Sequence, residues 1–414
     1  MRGHTIVWWG FSSCTTAVNV LNSNQFLGAK GDRTMFTLHC LSAKDIRKHS
    51  YYPAEDEVLL MPATQFEVIG CLNQGDLHII QLEETRPPHP LLLPVQIVVP
   101  PSINPTPSII PNIPVNAQWA QNGITVAGGN RQGNEINQLS SPCGLYVDDD
   151  QTVYVADYDN NRIVGWKWGA TSGQVVAGGN GPGSGAHQLS YPRDVIADKE
   201  RDCLIISDTS NRRVVRWPRR NGTSGETIIS NIDCWGLTMD ENGSLYVIDW
   251  VKDEVRRYRR GESQGTVVAG SNGRGNRLDQ LFYPHYVFVD RDHSVYVSDW
   301  GNDRVMKWVK GAKQGIVVAG GQGGGNGLTQ LSYPKGVVVD HLGTVYVADW
   351  GNARIMRWPN GATQGSVIVG GNGEGGQSDQ LHWPFTLSFD RHDNLYVGDN
   401  GNHRVQKFDL ESNK

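Results

Sequence analysis

Near the N-terminus two short runs combine residue types that can do chemistry. The first, Phe11-Ser12-Ser13-Cys14-Thr15, sets hydroxyls at alternate positions; the second, Glu55-Asp56-Glu57, follows Tyr51-Tyr52-Pro53 and opens the apolar run Val58-Leu59-Leu60-Met61. Successive side chains of a strand point to opposite faces, so Glu55 and Glu57 fall on one face as adjacent like charges. Such a pair repels itself, and a site that keeps it gains a means of stabilising positive charge or gripping a cationic group. Each run also has a plain structural reading. The acidic triplet suits a solvated strand edge, and the hydroxyls suit an N-cap for the helix expected over residues 16–23.

Two further patterns invite a chemical reading and resist it. Gly371-Asn-Gly373-Glu-Gly375-Gly376 is a formal GxGxxG after a strand. A dinucleotide site needs a helix next, whereas a strand pattern follows and similar loops recur five times, so the glycines serve turn geometry. Arg212, Arg213, Arg216, Arg219 and Arg220, with Arg256, Arg257, Arg259 and Arg260, form a local basic cluster. From residue 116 onward, 30 Lys and Arg balance 33 Asp and Glu, which favours a solvated outer face over a nucleic-acid surface.

The elements that must position these residues come in three blocks. Residues 1–86 form a mixed α and β piece: a short helix at 16–23, a strand at 34–41, a helical turn at 43–50, then strands in EVLLM, QFEVIGCL and LHIIQLEE. Residues 87–115 are a linker, because ten of the twenty prolines lie between Pro87 and Pro114 and impose an extended, semi-rigid conformation. Residues 91–115 carry no charge, yet their seven prolines rule out a membrane-spanning helix.

From residue 116 an internal repeat takes over. Ten-residue strings beginning at Asp157, Asp208, Asp249, Asp299, Asp349 and Asp399 align without gaps, spaced 51, 41, 50, 50 and 50 residues apart. That period signals a propeller or solenoid. In the fifth copy four strands are legible, at 334–340, 344–350, 353–358 and 365–370, which makes each repeat a blade. The 41-residue interval arises because Ile229 to Leu237 lacks the Gly-rich loop of the other copies. A fourth-strand string, GITVAGG at 123–129, precedes the first complete copy, and the last copy ends at Phe408 without one. The early strand is therefore expected to complete the last blade and close the ring. The recurring Asp and Arg are expected to be structural pairs, since six near-copies are not one active centre.

The repeat strings resemble NHL repeats, a family of six-bladed propellers. Relatives that are metal-dependent lyases or lactonases set ligands where first strands begin, at the channel mouth; the corresponding positions here are Cys143, Arg193 with Asp194, Trp235, His285, Lys335 and Phe385. One imidazole and one carboxylate assemble no metal cage, so no metal is expected and the propeller is expected to bind protein.

The N-terminal piece, over about residues 5–83, resembles the C-terminal half of an arginine-specific mono-ADP-ribosyltransferase, whose active site reads Arg, Ser-x-Ser/Thr, then Glu-x-Glu. Ser13-Cys14-Thr15 matches the second element and Glu55-Asp56-Glu57 the third. The resemblance implies NAD as donor and a protein arginine as acceptor. It implies that Glu57 bonds the ribose 2′-hydroxyl, that Glu55 holds and activates the incoming guanidinium, and that Ser13 and Thr15 orient Glu57 and the nicotinamide ribose. Tyr51 and Tyr52 fall where the family presents its target-recognition loop. The family's phosphate-gripping Arg is expected a strand and a loop before Ser13; only twelve residues precede it, and the role is not carried onto Arg2. The whole reads as a partial α+β transferase fold followed by an all-β six-bladed propeller: a transferase whose propeller recruits targets or, alternatively, a non-catalytic interaction scaffold carrying a decayed transferase remnant.

Bulk properties narrow the classes. A net charge of −5 provides no basic field for nucleic acid or anionic lipid. Six dispersed cysteines without a CxxC pair argue against a zinc module or a dense disulfide scaffold. The four-residue apolar stretch near the start is too short for the core of a signal peptide, and the compartment is left open.

Overall fold

In the computed structural model the chain divides into two units, Met1–Ser102 and Ile103–Lys414. The structure describes residues 5–8, 12–15, 33–39, 44–45, 57–60, 64–74, 77–85 and 110–411 except 221.

The first unit contains β1 (Thr5–Trp8), β2 (Ser12–Thr15), β3 (Arg33–His39), β4 (Lys44–Asp45), β5 (Glu57–Leu60), β6 (Thr64–Gln74) and β7 (Leu77–Thr85). They form two sheets, in the orders β1-β6-β7-β3 and β2-β5-β4. β6 and β7 pair antiparallel, Gln74 opposite Leu77, and β3 runs parallel to β7. Two expectations change here. Lys44–Asp45 lies in a strand paired with β5 where a helical turn was expected, and Ser12–Thr15 forms a strand of its own. Both segments are too short to show a period, so pairing with the apolar Val58-Leu59 segment decides their conformation. The helix expected at 16–23 lies outside the described residues.

The second unit is a ring of six four-stranded antiparallel blades. Blade 1 is β9 (Pro142–Val147), β10 (Val153–Asp157), β11 (Arg162–Trp166) and β12 (Gln174–Gly178); blade 2 is β13 (Pro192–Asp198), β14 (Cys203–Asp208), β15 (Arg213–Pro218) and β16 (Glu226–Ser230). Blade 3 is β17 (Cys234–Met239), β18 (Leu245–Asp249), β19 (Glu254–Tyr258) and β20 (Thr266–Gly270); blade 4 is β21 (Pro284–Val289), β22 (Val295–Asp299), β23 (Arg304–Trp308) and β24 (Ile316–Gly320). Blade 5 is β25 (Pro334–Val339), β26 (Val345–Asp349), β27 (Arg354–Trp358) and β28 (Ser366–Gly370). Blade 6 combines β29 (Pro384–Phe389), β30 (Leu395–Asp399) and β31 (Arg404–Phe408) with β8 (Ile124–Gly128) from the start of the ring.

Second strands are buried throughout because each is covered on both faces, which is why they read as continuous apolar runs ending in Asp. Between blades pack the large rings Trp166, Trp217, Trp308, Trp358 and Phe408, each at most 2% exposed. Tyr246, Tyr296, Tyr346 and Tyr396 donate their hydroxyls to Asp240, Asp290, Asp340 and Asp390, so each buried phenol has its acceptor.

Closure takes the expected form and adds a strap. β8 pairs antiparallel with β31, Gly128 opposite Arg404. Beyond it, Ala120 N donates to Asp409 O (2.9 Å) and Glu411 N to Gln118 O (2.8 Å). Ile113 and Trp119 are buried against blades 5 and 6, and Trp119 Nε1 donates to Asp393 O at 3.0 Å. The propeller framework thus begins upstream of residue 116, within the proline-rich stretch.

The recurring Asp and Arg form a clamp. In blade 5, Arg354 Nε donates to Asp349 Oδ2 (2.7 Å), and its Nη atoms donate to Asn326 O, Gly327 O and Gln330 O of the preceding Gly-rich loop. Asp349 also accepts from Ser332 N and Asn352 Nδ2. Arg162, Arg213, Arg304 and Arg404 repeat the 2.7 Å bond to their aspartates. Blade 3 has Glu254 at the arginine position and lacks the long loop before it, so the cation and the carbonyls it would bind are missing together.

Candidate functional site

In the first unit the register of β2 and β5 pairs Thr15 with Glu57 and Ser13 with Leu59. A hydroxyl-bearing position and a carboxylate-bearing position 42 residues apart in sequence are thereby direct cross-strand neighbours, with Ser13 two residues along the same strand. Glu55, Tyr51 and Tyr52 lie outside the described residues.

In the second unit the first strands begin around the channel, and register shifts near their starts release those residues from the neighbouring second strand. Lys335 and His285 are buried there, with Lys335 Nζ 2.8 Å from His285 Nδ1. Trp235 stacks on His285 with ring centroids 4.2 Å apart, and the Arg193 guanidinium lies 3.6 Å above the Trp235 ring. Burial, then the neighbouring Lys335 and Arg193 charges, hold the His285 imidazole well below its ordinary range. Burial and Arg193 hold the Lys335 ammonium down likewise. Burial pushes the Cys143 thiol up to about 12, although Arg193 and Lys335 oppose this. Asp194 is raised to about 7 by burial, offset by its bonds from the Leu237 and Val195 amides.

Below the mouth lies a cavity of about 160 Å³, lined by apolar residues such as Leu145, Val287 and Leu387, with Asp194, Tyr286 and Thr386 among its polar groups. Among the described residues no three His, Cys, Asp or Glu side chains gather to hold a metal ion. The basic cluster on blades 2 and 3 is largely neutralised in place: Arg212 pairs with Asp233, Arg216 with Glu226, Arg219 with Asp148 and Asp202, Arg259 with Glu262 and Arg260 with Glu200. The GxGxxG loop spends its Gly376 carbonyl on Arg404. What sequence reasoning missed is the company kept by the channel-mouth residues. Trp300, Trp350 and Tyr158 come from the ends of second strands, and the visible signal was the aromatic residue following the repeat aspartate.

Six antiparallel blades closed by a strand from the ring's start define a six-bladed β-propeller, preceded by a unit that sets Ser-x-Thr beside a Glu-led strand. Residues 6–87 match the model of the NAD:arginine ADP-ribosyltransferase family, and residues 139–166, 331–357 and 381–408 match the NHL repeat. The chain thus joins a segment similar to the NAD:arginine ADP-ribosyltransferase family to a six-bladed propeller with NHL-repeat matches. No curated protein matches it. Among solved structures it is similar to a protein of unknown function from Bacteroides thetaiotaomicron, with a TM-score of 0.58 and 15% identity over 71% of this chain and 77% of that one. An auxiliary nutrient binding protein from the same organism aligns with a TM-score of 0.55 and 14% identity over 86% of this chain and 87% of that one. A gluconolactonase from Xanthomonas campestris gives 0.51 and 14% over 73% and 99%. Likeness at such identities shows the fold alone. No helix among the described residues is long and apolar enough to cross a membrane.

Proposed function

We propose that this chain is an NAD-dependent mono-ADP-ribosyltransferase acting on protein arginine, with the propeller holding the target or a partner. The observation that carries the reading is the cross-strand pairing of Thr15 with Glu57 inside a segment that matches the transferase family. Breaking the bond between nicotinamide and ribose develops positive charge on the sugar, and a carboxylate beside the ribose hydroxyls stabilises that charge. Glu57 takes this part in the proposal, bonding the 2′-hydroxyl. Glu55, two residues earlier, binds the guanidinium and draws its proton as the nitrogen attacks the anomeric carbon. Ser13 and Thr15 orient Glu57 and the nicotinamide ribose, and Tyr51 and Tyr52 contribute to target recognition. NAD is consumed as substrate, and no metal enters the reaction.

The test is transfer of labelled ADP-ribose from NAD to a polyarginine acceptor by the full chain. Glu57→Gln is expected to abolish transfer while leaving the tryptophan fluorescence of the propeller unchanged. Transfer at the parental rate in that variant would refute the assignment. Absence of transfer in the parent would leave the propeller as a scaffold.

A further inference from the structure

The channel mouth collects N–H groups that the propeller's own acceptors leave over. Among the described residues Lys335 Nζ has one hydrogen-bond partner, the neutral imidazole of His285, and neither Lys335 nor Arg193 stands in an ion pair. Arg193 donates through Nη2 to Tyr158 Oη (2.9 Å), while its buried Nε finds no acceptor. The indole nitrogens of Trp235 and Trp300 are likewise buried without a partner. Asp194 is adjacent in sequence but does not answer these donors, because its oxygens accept from the Val195 and Leu237 amides. Buried donors are ordinarily satisfied, so a cluster of unsatisfied ones with cations among them marks the place of an absent acceptor.

The rings supply a second, independent observation. The Lys335 ammonium lies 4.7 to 5.7 Å from the centroids of Phe385, Trp300, Trp235 and Trp350. From Trp235 an arc of contacts runs through Trp250, Tyr283, Trp300, Tyr333 and Trp350, with centroids 4.7 to 6.2 Å apart. Tyr333 is 43% exposed, and Trp235, Trp300 and Arg193 are half-buried, so the cluster can be reached from solvent.

We propose that the channel mouth binds an organic oxyanion, a carboxylate or phosphate carried on a flat aromatic body, with Lys335, Arg193 and the indole N–H groups of Trp235 and Trp300 taking the head and the ring arc stacking on the body. Positive groups and aromatic faces in one recess suit such a ligand, because the oxygens satisfy the leftover donors and the flat part covers the rings. The site is separate from the transferase reading and does not rest on it. An anion beside Lys335 favours its charged form, so binding takes up a proton and tightens as pH falls through the depressed range of this lysine.

The experiment titrates the full chain with benzoate, phenyl phosphate and neutral benzamide, reading tryptophan fluorescence. Saturable quenching is expected with at least one of the anions and not with benzamide, and the tighter of the two anions identifies the head group. Lys335→Met is expected to weaken that anion about tenfold or more, the loss of a charge-assisted bond. Arg193→Gln, at a half-buried position, gives the same reading if Lys335→Met fails to fold. Equal binding of benzamide, no saturable binding of either anion, or parental affinity in a folded variant overturns the proposal.

Discussion

Replacing Arg354 by methionine keeps the apolar stem and removes the guanidinium, which isolates the clamp as an energetic unit. Four bonds go at once: 2.7 Å to Asp349 Oδ2, 2.8 Å to Asn326 O, 3.1 Å to Gly327 O and 3.3 Å to Gln330 O. Asp349 is 0% exposed and keeps only the Ser332 amide and the Asn352 side chain as partners. Bonds to a charged group contribute roughly 1.5–3 kcal/mol each but do not add within one network. Orphaning a buried carboxylate costs about 3–5 kcal/mol, and that range is the expected loss for Arg354→Met. The assay is urea unfolding followed by tryptophan fluorescence, which reports the propeller because only Trp8 and Trp9 of the 13 tryptophans precede residue 116. Asp349→Asn in the same chain removes the orphaned charge, so the double variant should fall short of additivity by about 2 kcal/mol or more. The single-variant loss should also shrink in acid, where the orphaned carboxyl takes up a proton. A loss below about 1 kcal/mol, or strict additivity, would show that the clamp is decoration on a sheet that stands without it.

Two further perturbations probe the channel and the closure. Asp194, raised from 3.8 to about 7 in the folded chain, contributes stability that is fully present below about pH 4 and lost as pH rises through 7, on the order of 4 kcal/mol. Asp194→Asn cannot ionise, so its urea midpoint relative to the parent should rise between pH 5 and pH 8; parallel pH profiles would contradict the assignment. Trp119 is 1% exposed, with its ring edge-on to Tyr346 at 6.0 Å. Trp119→Ala should cost about 3–5 kcal/mol and speed proteolytic release of the C-terminal strands. A midpoint unchanged by that substitution would show that the strap does not hold the ring.

The propeller was legible in the sequence because its signals are local and repeated. Strands such as Val345–Asp349 alternate or run apolar within five residues, and the unpaired string at Ile124–Gly128 announced the closure by being left over. The strap was not legible: Ile113 and Trp119 sit in or beside a proline-rich stretch whose composition describes a linker equally well, and only the tertiary fit to blades 5 and 6 buries them. In the first unit, Ser12–Thr15 and Lys44–Asp45 are too short to carry a period, so pairing with β5 decides them. The channel-mouth group is a product of ring closure. Arg193, His285 and Lys335 are ordinary residues near the starts of the first strands of blades 2, 4 and 5, and their sequence separation conceals that the ring brings them within a few ångströms of shared aromatic faces.

The pairing of β8 with β31 also sets a timetable. Gly128 waits for Arg404, so β8 leaves the ribosome roughly 280 residues ahead of its partner. At about 5–20 residues per second that interval is roughly 15–55 s, during which five blades can form while the sixth keeps an open edge. A nascent chain stalled before β31 therefore presents a strand edge ready to pair with a neighbouring chain, and synthesis of the last blade is the step that ends the exposure.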